Sequence, residues 1–142
     1  MRRGRGFTLL ELLVVIALMA MAFGLVSFSV GQGLQAARER QVMREMVAAL
    51  RQARLQAVLS GAPAVLSLDL QRRTFQAPGQ RPGQWPADMG VQLTSASELG
   101  AQVAFYPDGS SSGGNLLLVR DGRQWRIDVG WLTGSVRWQV LP

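Results

Sequence analysis

The sequence predicts an α+β fold in which one long N-terminal helix packs by its second half on a C-terminal antiparallel β-sheet. Three observations carry that prediction. Residues from Phe7 to Leu59 read as helix, first apolar all round and then with one apolar stripe. Ser60-Gly61-Ala62-Pro63 stops the helix, with Gly and Pro in the terminating order. Beyond Pro63 the apolar period falls from about 3.6 residues to two, the period of strands with one covered face. A helix stripe cannot be left wet, and the alternating strands present the face that covers it.

The chain opens with Met1-Arg-Arg-Gly-Arg-Gly6, a short basic leader, and continues Phe7-Thr-Leu-Leu-Glu11-Leu-Leu-Val-Val-Ile16. No charged residue occurs between Leu12 and Val30. A helix rises about 1.5 Å per residue and about 20 apolar residues span the hydrocarbon core, so residues 7–30 suffice to cross a bilayer. Glu11 then lies in or near lipid, at a cost of about 2.5–3.5 kcal/mol if central and unpaired. Such a charge persists only where it finds a partner, which marks Glu11 as functional. Arg2, Arg3 and Arg5 before the span place the N-terminus in the cytoplasm under the positive-inside rule. An ordinary signal peptide, cut after Ala20-Met21-Ala22, fits less well. Glu11 would interrupt its apolar region, and the apolar run continues through Phe23, Leu25, Val26, Phe28 and Val30. A plain membrane anchor leaves Glu11 without a reason.

Residues 31–60 form the amphipathic half of the helix. Val42, Met46, Ala49, Leu50, Ala53 and Ala57 share one face, while Gln41, Arg44, Glu45, Arg51 and Gln52 lie mostly on the other. Good helix formers fill Leu34 to Leu59, and Gly24, Gly31 and Gly33 weaken the junction of the two halves. The expected helix has about fifty residues and is ~75–80 Å long. In residues 61–142, Leu66, Leu68 and Leu70 alternate with polar residues, and a short strand Arg73–Ala77 follows. Pro78 to Pro86 is a loop by composition. Val91 and Leu93 make a weak strand and Val103–Tyr106 a better one. Leu116–Arg120 and Gln124–Val129 read as a hairpin about a tight Asp121-Gly122 turn. Val136, Trp138 and Val140 repeat the pattern in a last strand, where Trp138, like Trp125, occupies the apolar phase and is expected in the core.

Gly6-Phe7-Thr8-Leu9-Leu10-Glu11 resembles the processing and methylation motif of type IV pilins and type II secretion pseudopilins. In that family a prepilin peptidase cuts after the glycine and methylates the new N-terminus. The resemblance implies cleavage between Gly6 and Phe7, N-methylation of Phe7, and pairing of Glu11 with the Phe7 amine of a neighbouring subunit during assembly. It also implies the pilin fold, a leader at 1–6, a transmembrane segment at 7–30 and a periplasmic β-sheet domain at 61–142. Phe105-Tyr-Pro-Asp-Gly-Ser-Ser-Ser-Gly-Gly-Asn115 and Ile127-Asp-Val-Gly-Trp-Leu-Thr-Gly-Ser-Val136 look like the H-type minor pseudopilins of type II secretion. The related FimT-type minor pilins share this layout. The implied role is a structural subunit near the tip of a short periplasmic filament that drives folded proteins across the outer membrane. The implied location is the bacterial inner membrane, single-pass. Its implied partners are the prepilin peptidase, other major and minor pseudopilins, the inner-membrane assembly platform and membrane lipid.

Length allows one anchor and one domain large enough for a core without staples. The chain has no Cys and no His, and all 15 basic residues are Arg. The net charge of +6 falls to +3 for side chains 7–142, where 12 Arg face 9 acids. Gly109-Ser110-Ser111-Ser112-Gly113 matches the letters of a nucleophile elbow but has no histidine base and leads into a strand. Asp88, Asp108, Asp121 and Asp128 lack metal-ligand spacing. The chain is therefore expected to be no enzyme, with no cofactor and no metal.

Arg120, Arg123, Arg126 and Arg137, with Trp125 and Trp138 nearby, make a candidate nucleic-acid patch. DNA-binding FimT-type proteins resemble one another in a Gly-Arg-x-Arg element; here the stretch is Gly134-Ser135-Val136-Arg137, without the first Arg. A solvated sheet face is the better reading of these arginines. A FimT-type minor pilin that binds DNA during uptake is the alternative function.

Overall fold

The computed structural model describes residues 8–95 and 99–142, with the side chains of 25–35 left aside. Helix α1 runs Leu9–Ser60, 52 residues. Two compact units divide the chain, one ending at Arg40 and the other running Gln41–Pro142.

In the first unit Leu9, Leu10, Leu12, Leu13, Ile16, Leu18 and Phe23 are all exposed, as expected of a segment apolar all round. Among the described residues no helix is long and apolar enough to cross a membrane. The expected span, residues 7–30, lies partly outside the residues described with their side chains.

In the second unit α1 buries the six residues of the expected stripe, and Met43 and Val47 as well. The stripe is wider than its minimal spacing because it is covered by more than one sheet. Gly61 closes the helix at φ 66°, its N–H donating to the Ala57 carbonyl at 3.1 Å, the C-terminal geometry glycine permits.

Among the described residues eight strands follow: β1 Ala64–Asp69, β2 Thr74–Gln76, β3 Gly83–Gln84, β4 Gly90–Thr94, β5 Gln102–Phe105, β6 Gly114–Arg120, β7 Arg123–Val129 and β8 Val136–Leu141. They form two four-stranded antiparallel sheets, β3-β2-β1-β5 and β4-β6-β7-β8, where the sequence suggested one. The division arises because β4 skips β5 to pair with β6, while β5 returns to pair with β1. Leu66, Leu68, Val103, Phe105, Leu116, Leu118 and Ile127 meet the helix stripe in one core.

Three local expectations are corrected. Leu70 is not a third inward residue of β1; it is 51% exposed. The Asp69 carboxylate accepts the N–H groups of Gln71 and Arg72 (3.0 and 2.8 Å), so the turn starts one residue earlier. The stretch 78–86 is not only loop. It contains β3 and delivers Trp85 into the core, stacked on Phe75 with ring centroids 6.4 Å apart. Glycine is needed at Gly83 because a Cβ there would run into the Phe75 ring. Finally, Trp138 and Val140 are 49% and 62% exposed, although their phase is as expected. They stand opposite Ile127 and Trp125, but β8 is an edge strand and burial fades after Val136. The β6–β7 turn is as read: Asp121 and Gly122 both take positive φ (48° and 76°), the requirement of a tight I′ hairpin.

Candidate functional site

The expected cleavage and methylation pair, Gly6 and Phe7, lies outside the described residues. Thr8 caps the helix: its hydroxyl oxygen accepts the Glu11 N–H at 3.3 Å, and its carbonyl accepts the Leu12 N–H at 3.2 Å. Glu11 is therefore the third helical residue, in the first turn and exposed. A carboxylate there faces the positive end of the helix dipole, which offsets about 0.3–1 kcal/mol of its cost. Thr-x-x-Glu is also the spacing of a capping box, a signal present in the sequence and unused in reading it. The cap fixes where the helix begins and hence where along it Glu11 stands.

The four arginines do not form one patch. Arg120 follows Leu116 and Leu118 on the covered face of β6; its side chain is 5% exposed and ion-pairs with Asp88 at 2.5 Å. Asp121 lies 3.8 Å from it. Arg123 stands across the turn from Arg120 in register. Arg126 is on the opposite face and pairs with Asp128 at 3.0 Å. Arg137 is in register with that same Asp128, which also accepts from Gln139 at 3.4 Å. Ser135, where the DNA-binding element would carry its first Arg, lies between the 131–133 turn and β8; its N–H donates to the Thr133 hydroxyl at 3.3 Å and its carbonyl accepts the Gly130 N–H at 2.9 Å. Arg120 cannot reach a phosphate without leaving the core.

The Gly109–Gly113 stretch joins the two sheets. The Ser111 N–H donates to the Trp131 carbonyl (2.8 Å), the Ser111 hydroxyl to Gly130 (3.0 Å), and the Ser112 N–H to Ala104 (2.8 Å). Ser111 is thus a buried structural hydroxyl in a loop, with no strand-turn-helix elbow around it. Arg54 of α1 donates to the Gly109 carbonyl at 3.0 Å. Gly109 and Gly134 both take positive φ (85° and 60°), and a Cβ on Gly134 would strike the Gly109 carbonyl and the Arg54 side chain. No sequence pattern pointed to Arg54; a helix arginine reads as solvated until its loop partners are placed. At the exposed tip of this loop, hydrogen bonds from the Ser110 hydroxyl and N–H hold the Asp108 carboxyl below the usual range.

A long N-terminal helix whose second half is covered by antiparallel sheets defines the class of pilin-like folds. Residues 1–27 match the family description "Prokaryotic N-terminal methylation motif". Residues 42–133 match "Type II transport protein GspH", and the chain belongs to that GspH family. It is 39% identical over 142 residues to a type II secretion system protein H of Xanthomonas campestris pv. campestris, covering 96% of this chain and 83% of that protein. A protein of the same description from Escherichia coli is 35% identical over 86 residues, 60% of this chain and 51% of that one. In fold, the chain resembles the Vibrio cholerae minor pseudopilin EpsH (TM-score 0.50, 15% identity, 75% of this chain and 95% of that one). It also resembles the Pseudomonas aeruginosa type IV minor pilin FimU (TM-score 0.54, 15% identity, 72% and 87%).

Proposed function

We propose that this chain is a minor pseudopilin of a type II secretion system, a structural subunit of the periplasmic filament that drives folded proteins across the outer membrane. The observation that carries this reading is the GspH family match over residues 42–133 joined to a methylation motif over 1–27. In this reading residues 1–6 are a cytoplasmic leader removed between Gly6 and Phe7, and Phe7 becomes the N-methylated first residue. Residues 7–30 anchor the subunit in the inner membrane and later pack into the helical core of the filament. Glu11 pairs with the Phe7 amine of a neighbour and sets register, and residues 61–142 stand in the periplasm. The partners are the prepilin peptidase, other pseudopilins and the assembly platform. The work is assembly, not catalysis, and needs no cofactor.

Two measurements test it. Intact mass of the membrane-bound protein should correspond to N-methyl-Phe7 followed by residues 8–142; a mature start at Phe23 overturns the reading. Deleting the gene should abolish export of folded proteins and leave transformation by DNA intact; the reverse outcome would promote the DNA-uptake role. The dispersal of Arg120, Arg123, Arg126 and Arg137 over two faces supports ranking that role second.

A further inference from the structure

In the unit Gln41–Pro142, α1 enters at Gln41 and stops at Ser60. Two loops meet near the stop end: 106–113, which joins β5 to β6, and 130–135, which joins β7 to β8. Arg54 holds the first at the Gly109 carbonyl (3.0 Å), and Arg51 holds the second where it enters β8, at the Val136 carbonyl (3.5 Å). The 130–135 loop is closed on itself, the Gly134 N–H donating to the Gly130 carbonyl (2.8 Å) and the Gly130 N–H to the Ser135 carbonyl (2.9 Å). It is also tied to its neighbour. The Trp131 carbonyl accepts the Ser111 N–H at 2.8 Å, and a Cβ on Gly113 would lie 3.0 Å from the Trp131 Cβ. Yet this loop carries Trp131 at 69% and Leu132 at 66% exposure. Tyr106 and Asp108, both exposed, stand on the adjoining loop. The exposure of Trp131 is therefore built by hydrogen bonds, not left by a loose chain. A tryptophan held out in this way is the commonest kind of binding hot spot, and its fixed backbone spares the ordering cost of association.

We propose that Trp131 and Leu132 dock into an apolar pocket on the domain of another pseudopilin, with Asp108 meeting a cation on the rim of that pocket. The proposal rests on the filament reading above and adds to it the surface of contact. Chain connectivity joins the anchor to this unit at Gln41. In that reading the stop end leads as a subunit moves outward, and it is the end that meets subunits already assembled. The opposite end has a different chemistry. β1 starts four residues after the helix stop and pairs with β5 there, and β6 starts just after the bridge between Phe105 and Ser111. Both strands run back to charged turns, one with Arg72 and Arg73, the other with Asp121 and Arg123. A second copy stacked end to end offers Trp131 those turns and no apolar seat, so a different subunit is the fitting partner.

The test places the photo-crosslinking amino acid benzoylphenylalanine in place of Trp131 in the full-length chain, in cells that make the other pseudopilins of its system. Irradiation should give an adduct with another pseudopilin, identified by peptide mass. The same group in place of Gln124, an exposed residue of β7 next to the far turn, should give none. Trp131→Ser keeps the Cβ that packs on Gly113, so the thermal midpoint should hold while recovery of the partner from detergent falls at least about tenfold. Asp108→Asn should lower recovery by about threefold, and less at high salt. Adducts only to lipid or to a second copy, equal adducts from positions 131 and 124, or full recovery with Trp131→Ser would overturn the proposal. Each of these leaves the filament reading standing where Glu11→Leu still loses its partners. A parent chain that recovers no pseudopilin at all would overturn both.

Discussion

Glu11 and Asp88 are the two carboxylates whose removal should have opposite consequences for the isolated chain. Glu11 is exposed in the first helical turn, and replacing it with Leu removes a charge that costs free energy in lipid. Glu11→Leu should therefore insert into membranes as well as the parent or better. On the proposed assembly role its recovery with other pseudopilins from detergent should fall, because a pairing with a neighbour's amine would be lost in a medium where such an attraction is strong. Unchanged co-purification would show that Glu11 is not the assembly contact. Asp88, by contrast, neutralises an arginine whose side chain is 5% exposed. Asp88→Ala should lower stability by about 2–3 kcal/mol in denaturant unfolding. That is less than the 3–5 kcal/mol of a fully buried pair, because Asp88 itself is half-exposed. The double variant Asp88→Ala with Arg120→Leu should recover part of the loss; a larger loss would mean that the ion pair is not the cause.

At the scale of elements, the sequence read best where a local rule had no competitor. The stop at Ser60-Gly61 and the Asp121-Gly122 hairpin each depend on backbone chemistry within a few residues, and each lies where expected. Periodicity also placed the α1 stripe and the inward phase of Trp125, Ile127 and Val129. It failed at Leu70, where a side-chain carboxylate competes with the ladder for backbone N–H groups, and in 78–86. There a Pro- and Gly-rich composition hid the most buried tryptophan of the chain, Trp85 at 3% exposure. Trp85→Ala should cost about 3–5 kcal/mol, since it removes both the Phe75 stack and a core volume that β3 cannot refill. Thermal unfolding checks this, and a change within about 0.5 kcal/mol, the scale of surface sites, would show that the 78–86 stretch is a loose loop after all.

For the whole molecule, charge and topology together bear on nucleic acid. Residues 32–142 carry 12 Arg against 8 acids, and the structure spreads the C-terminal arginines over two faces. Nonspecific affinity follows the number of phosphates neutralised at once. Fragment 32–142 should therefore bind duplex DNA no tighter than about 10⁻⁴–10⁻⁶ M at physiological salt. Submicromolar binding lost in Arg123→Ala or Arg137→Ala would reverse that expectation. The sequence by itself determined the helix, its apolar and striped halves, its end, the strand phases and the Gly6-Phe7-Glu11 motif, because these depend on neighbours in the chain. Only the tertiary structure decided that there are two sheets, that Arg54 ties α1 to the Gly109 and Gly134 loops, that Arg120 is interior and that Trp138 is not. Those outcomes depend on which strands lie at an edge and which loops meet, and contacts between residues so far apart in the chain leave no periodic trace in it.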